Sequence, residues 1–231
     1  MGRTQVSKLG SLENMLISEM LYLLLTKDDG QPETVMSSYK YGMNSAIIAD
    51  LILAGRIGLT DDPNPRITIV GAGPIADPVL EHSLEKLEGK DGINLDSAVA
   101  INGLCNIRLV TDSLAKQGLV EYGERGLLGL GKAPVRVLNG QLERQFRTGL
   151  SLVLQGQREA VTHEATLLSI IHGMGVLQQV LAEEIEPLGV QRAQARIKEV
   201  ATDTRAGDAV RKAVATMNEA VATNTILPGA N

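Results

Sequence analysis

Tryptophan is absent from this 231-residue chain, phenylalanine occurs once, as Phe146, and aromatic residues make up only 2%. A core without large rings has to be filled by Leu, Ile, Val, Ala and Met, which suits helix-on-helix packing. A single cysteine, Cys105, excludes an internal disulfide and fits a reducing compartment. It stands among Leu104, Ile107 and Leu109, which reads as a small buried hydrophobe. The three histidines, His82, His163 and His172, offer little for a metal site. The spacing of His163 and His172 puts them on opposite sides of a helix. No run approaches the roughly 20 apolar residues of a membrane span. The greasiest stretch, 167–182, is interrupted by His172, Gly173, Gly175, Gln178 and Gln179. Met1 to Ser7 lacks the apolar core of a secretory signal, and Val6 stands where a myristoylation motif wants Ser or Thr. No Gly-x-Ser-x-Gly elbow, Walker loop or paired-cysteine motif occurs. The expectation is a cytoplasmic protein, soluble or peripheral on the cytoplasmic membrane face, with no cofactor, no metal and no enzymatic activity.

What is present is mostly helix. Hydrophobic residues at 44% and charged residues at 21% mark a folded chain. In residues 41–57, Met43, Ile47, Leu51 and Ala54 recur at helical spacing, while Ile48, Ala49, Ile52 and Leu53 fill the remaining circumference. A helix apolar nearly all round has to be buried on every side, and Gly55 can end it in the left-handed conformation. Ser11 to Asn14 can cap an earlier helix whose face is Leu12, Met15, Leu16, Met20, Leu23 and Leu24, stopped by Asp28-Asp29-Gly30. Asp77-Pro78 opens another, with the acid as N-cap and proline at the first helical position. Further helices are predicted over 95–117, 140–155, 159–185, 189–202 and 208–222.

Two hairpins interleave with them. Ile57 to Thr60 and Arg66 to Val70 flank a turn-rich Asp61-Asp62-Pro63-Asn64-Pro65 loop. Leu119 to Tyr122 and Leu127 to Leu130 flank Gly123-Glu124-Arg125-Gly126, with Lys132 to Val135 leading out. The fold class expected is mostly α: a central buried helix bundle surrounded by amphipathic helices, with two β-hairpins. No linker marks a boundary, so a disordered 1–10, one domain over 11–222 and a tail over 223–231 are expected.

Ile67 to Ala76 matches a strand followed by GxGxxA, the pattern in which glycines let a backbone approach a pyrophosphate. The pattern also requires a second strand ending in Asp or Glu some 20 residues on, and Glu88-Gly-Lys-Asp-Gly is no strand. Asp77 puts negative charge where phosphates would sit. A hairpin strand, a glycine turn and a capped helix are the expectation. The segment 95–117 before a hairpin has a winged-helix outline, a nucleic-acid alternative. It holds only Arg108 and Lys116 against Asp96 and Asp112, in a chain of net charge −5, so no nucleic-acid partner is expected.

Charge is unevenly spread. From 125 to 158 the basic residues are Arg125, Lys132, Arg136, Arg144, Arg147 and Arg158, and the only acid is Glu143. This third begins at a hairpin tip carrying Leu127, Leu128 and Leu130. Leucines flanked by cations suit an anionic headgroup-and-acyl boundary, each cation contributing roughly 1 kcal/mol. The same residues equally suit a contact with a second copy. Arg125, Leu127, Leu128, Leu130, Lys132 and Arg136 are therefore the candidate membrane or oligomer surface.

The order of these elements resembles the Golgi phosphoprotein 3-like family, as a bacterial-type member, from about residue 10 to 222. Leu12-Glu13 through Leu23-Leu24-Leu25, Asp29-Gly30, Gly42, Ala49-Asp50-Leu51 to Gly55-Arg56-Ile57, Asp77-Pro78-Val79-Leu80-Glu81, Leu114 to Gly118-Leu119-Val120, Ala133-Pro134 and Leu167-Leu168 carry the resemblance. It implies a peripheral membrane domain that binds phosphatidylinositol 4-phosphate and, as an adaptor, cytosolic protein tails, with the second hairpin in membrane insertion and oligomer contacts. The lipid pocket it implies uses a Trp and three arginines. Those positions hold Val35, Asn44, Leu104 and Ile107 here, so the headgroup candidates become Asn44 with the neighbouring cations Lys40 and Arg108.

Overall fold

The computed structural model describes residues 15–27, 36–71, 73–123, 135–138 and 140–202. The first helix, α1 (Ile17–Leu24), is buried at every one of its residues rather than along one face. Leu16 before it is extended and has no capping group. Glu19 accepts the Leu16 amide at 3.1 Å, and Asp50 supplies the rest of the cap from another helix, accepting the Ile17 and Ser18 amides at 2.7 and 3.0 Å. The expected cap at 11–14 lies outside the described residues.

Asp50 belongs to α2 (Met36–Leu53), the central helix, whose residues 42–51 are all buried. Gly55 ends it at φ +65°: its amide donates to Ile52 and the Arg56 amide donates back to Leu51, a Schellman turn. Gly42 leaves room for Met174, whose sulfur would collide with any Cβ at that position. β1 (Ile57–Leu59) and β2 (Ile67–Ile69) form the first antiparallel hairpin, with Ile57 opposite Ile69 and Leu59 opposite Ile67.

α3 (Pro78–Leu87) starts as expected, Asp77 Oδ1 accepting the Val79 and Leu80 amides at 2.8 and 3.2 Å. The predicted helix 95–117 is two: α4 (Leu95–Val99) and α5 (Ile107–Lys116). Gly103 at φ +70° turns the chain between them, and Asn106 caps α5 by accepting the Arg108 amide. The break is imposed from α2. The Asn44 side chain donates to the Val99 and Ile101 carbonyls and accepts the Cys105 amide, replacing a helical ladder with long-range bonds.

The second hairpin pairs β3 (Val120–Tyr122) with β4 (Val135–Val137), Val120 opposite Val137 and Tyr122 opposite Val135. The return strand paired with β3 is thus Val135–Val137, whose alternation of Val, Arg and Val is the strand signal, and not 127–130 as read from the leucines. Residues 124–134 lie outside the described residues. α6 (Gly140–Leu154) and α7 (Thr162–Gly173) follow. The predicted 159–185 helix is interrupted at Gly175, φ +70°, into α7, α8 (Leu177–Val180) and α9 (Ala182–Ile185), before α10 (Val190–Thr202). The segment 208–222 is outside the described residues. α1, α2 and α7 pack on one another, α10 covers α7, α9 lies on α6, and α5 bridges α1 and α3. The architecture is mostly helical, with two small hairpins, as the sequence implies.

Candidate functional site

One of the headgroup candidates, Asn44, is used inside the fold. Asn44 is 2% exposed, and both its amide hydrogens and its oxygen are engaged by the 99–105 loop at 2.7, 2.8 and 3.0 Å. Leu104, at one of the arginine positions of the implied pocket, is fully buried. Arg108 is largely exposed but committed to its neighbours: Nε lies 3.0 Å from Asp112, and the guanidinium stacks over the Tyr122 ring at 4.4 Å. Lys40 donates to Asn102 at 2.8 Å. No side-chain hydrogen bond or ion pair joins Lys40, Asn44 and Arg108 to one another among the described residues, and Asn44 has no side-chain donor left for a phosphate.

Arg108 belongs instead to a clamp at the root of the second hairpin. The Tyr122 hydroxyl, at the end of β3, donates to Asp112 at 2.6 Å and lies 2.7 Å from the Thr111 hydroxyl on α5. The Tyr122 hydrogen bond, then the Arg108 guanidinium, hold the Asp112 carboxyl below its usual value. Arg136 on β4 faces Glu121 across the strands at 3.8 Å, with 73% of its side chain exposed. Arg125, Leu127, Leu128, Leu130 and Lys132 lie outside the described residues, in the connection this stem carries.

The basic third is less free than its composition suggests. Arg147 on α6 reaches Glu143 at 2.8 Å, Glu184 of α9 at 3.1 Å and the Val180 carbonyl. Arg158 grips both oxygens of Glu164 on α7 at 2.6 and 2.9 Å and donates to the Gly149 carbonyl of α6. These two arginines join helices. Arg144 is exposed and makes no ion pair with a described residue.

The GxGxxA glycines serve an arginine. Arg56 Nη2 donates to the carbonyls of Gly71 and Gly73 at 3.3 and 2.6 Å, and a Cβ on Gly71 would stand 3.0 Å from Arg56 Nε. Gly73 takes φ +101°, open to glycine. Asp77 already occupies the amides of α3. This loop and α3 line a groove of about 440 Å³ with the apolar Ile69, Pro74, Ile75 and Leu84, the cation Arg56 and the acids Glu81, Glu85 and Glu88. Glu81 and Glu85 lie one turn apart on α3 and Glu88 is its C-cap, and none of the three pairs with a cation among the described residues. Sequence reading missed this groove; the i, i+4, i+7 acidic repeat was its only linear signal.

Cys105 is buried, and burial raises its thiol well above the usual value, so it is inert. His82 bonds the Gly103 carbonyl, and among the described residues no cluster of His, Cys, Asp and Glu could hold a metal. Nor is any described helix long and apolar enough to cross a membrane. No curated protein matches the chain. Residues 17–217, the span that holds α1, the central helix, the clamped hairpin and the closing helices, match the sequence model of Golgi phosphoprotein 3 (GPP34), and the chain belongs to that family.

Proposed function

We propose that this chain is a non-enzymatic, adaptor-like peripheral domain that meets anionic membrane surfaces through the end of its second hairpin. The observation that carries the reading is the clamped stem. Tyr122, Asp112, Thr111 and Arg108 fix β3 to α5, so the connection bearing Arg125, Leu127, Leu128, Leu130 and Lys132 leaves from a rigid base beside the exposed Arg136. Attraction is then collective and salt-dependent, each cation adding roughly 1 kcal/mol near an anionic leaflet. The phosphatidylinositol 4-phosphate selectivity that the family resemblance implies has no counterpart at Asn44, which is closed by its own loop.

Co-sedimentation with phosphatidylserine vesicles across a salt series tests this. Binding at low salt that fades as salt rises, is lost in Leu128→Asp and is no stronger for phosphatidylinositol 4-phosphate than for equal charge supports the proposal. No binding at low salt overturns it. Light scattering of the parent and Leu128→Asp separates it from a soluble scaffold: a parent oligomer that the variant dissolves, without vesicle binding, makes the leucines a self-association surface.

The groove on α3 favours a second role within the same domain. An apolar lining with three unpaired carboxylates against one arginine, Arg56, held by the Gly71 and Gly73 carbonyls, suits a cationic, partly aliphatic protein segment, the complement expected of an adaptor. A fluorescent peptide alternating arginine and leucine is expected to bind the parent and to lose affinity to Glu85→Lys. Equal affinity for both removes this role without touching the first.

A further inference from the structure

Among the described asparagines only Asn102 is followed by glycine; Asn44, Asn64, Asn94 and Asn106 precede Ser45, Pro65, Leu95 and Ile107. The difference is chemical. A backbone nitrogen can close a five-membered ring on the side-chain amide of the residue before it, and a Cβ on the attacking residue obstructs the approach. Gly103 has no Cβ, takes φ +70°, and has no atom near the place where one would stand.

The surroundings suit this chemistry. Asn102 and Gly103 are exposed on the loop between α4 and α5. That loop is pinned on both sides. Asn44 takes the Ile101 carbonyl and the Cys105 amide, Ser83 donates to the Leu104 carbonyl, and His82 donates to that of Gly103 at 3.0 Å. The Gly103 amide donates to no described residue, which leaves its nitrogen uncommitted. The Asn102 side-chain oxygen is met by a charge: the Lys40 ammonium of α2 donates to it at 2.8 Å. A cation there polarises the amide carbonyl and stabilises the oxyanion formed when the carbon is attacked. Asn44 and Asn106 give their oxygens to backbone amides instead.

We propose that Asn102-Gly103 is a self-deamidation site and that Lys40 promotes the reaction. The Gly103 nitrogen bonds to Asn102 Cγ and gives up its proton; the Cγ–Nδ2 bond breaks, and ammonia leaves carrying that proton. Water then opens the cyclic imide. Attack at Cγ yields aspartate and attack at the main-chain carbonyl yields isoaspartate, with one water taken up and one ammonia released in either case. Both products set a new carboxylate beside Lys40. Isoaspartate also routes the main chain through an extra carbon between the Ile101 carbonyl and the Cys105 amide. It thereby changes the spacing of the anchors through which Asn44 separates α4 from α5.

Peptide mapping by mass spectrometry of the full chain, incubated at mildly alkaline pH, reads the conversion as the mass gain of an acid replacing an amide. The map also separates it from any conversion at Asn139-Gly140. Asn102 is expected to convert in the folded chain to two chromatographically distinct products. The rate is expected to fall about fivefold in Lys40→Met, which keeps the apolar stem and removes the charge. Lys40→Gln takes its place should Lys40→Met not fold. An Asn102 that stays intact in the folded parent while the urea-unfolded chain converts overturns the proposal. So does a folded Lys40 variant that converts at the parent rate.

Discussion

The two hairpins have three-residue strands of the same antiparallel kind, yet they are held in different ways. The first is knitted in by backbone. Ile67 exchanges bonds with Ile93 and Gly92, Leu95 donates to Pro65, Val70 donates to Arg56, and Asp91 accepts the Ile69 amide. Ile57 and Ile67 are sealed in the core. The second is attached mostly by side chains. Only Val120 of its strands is buried, one extra backbone bond joins Leu138 to Leu119, and the Tyr122 clamp supplies the rest. A backbone-knitted hairpin is part of the scaffold. A side-chain-clamped one stands at the surface on a few fixed anchors, which suits an element that meets a partner.

The contrast is broken most severely at Ile67. Ile67→Ala is expected to cost about 2–5 kcal/mol of global stability in urea unfolding, because a fully buried side chain leaves a cavity. Tyr122→Phe deletes the hydroxyl bonds to Asp112 and Thr111. The expected loss is about 1 kcal/mol, with faster exchange of β3 amides but not of β1. Acid sharpens the same point: the lowered Asp112 carboxyl stabilises the clamp above its unfolded value, and that contribution disappears as pH falls through its folded one. Near-ultraviolet signals from Tyr122 are expected to change there before far-ultraviolet helicity does. Asp91→Ala removes one exposed bond to β2 and is expected to cost about 0.5–1 kcal/mol, read by urea midpoint. Arg136→Gln breaks a long, exposed pair and is expected to change stability by less than about 0.5 kcal/mol, while reducing the salt dependence of vesicle binding.

What was legible in the sequence was what is local. The central helix, its Gly55 stop, the Asp77-Pro78 start and the first hairpin each carry their instructions within a few residues. The elements misread were set from a distance. The helix read over 95–117 is divided because Asn44, from α2, takes the carbonyls of Val99 and Ile101. α1 looked amphipathic because its other side is covered by helices that no window of its own sequence contains. Composition placed six cations in one third of the chain, but it could not show that Glu184 and Glu164 fold back on Arg147 and Arg158. The α3 groove needed Gly71, Gly73, Pro74 and Ile75 brought beside Leu84 in one lining before Glu81, Glu85 and Glu88 shared a cleft.

The cap that α2 lends to α1 also sets an order of events during synthesis. Asp50 follows Ile17 by 33 residues, so a ribosome adding roughly 5–20 residues per second exposes α1 for about 2–7 seconds before its acceptor exists. During that interval eight residues destined for complete burial have neither a cap nor a neighbour. The cap of α1 is thus completed only once the central helix has been made.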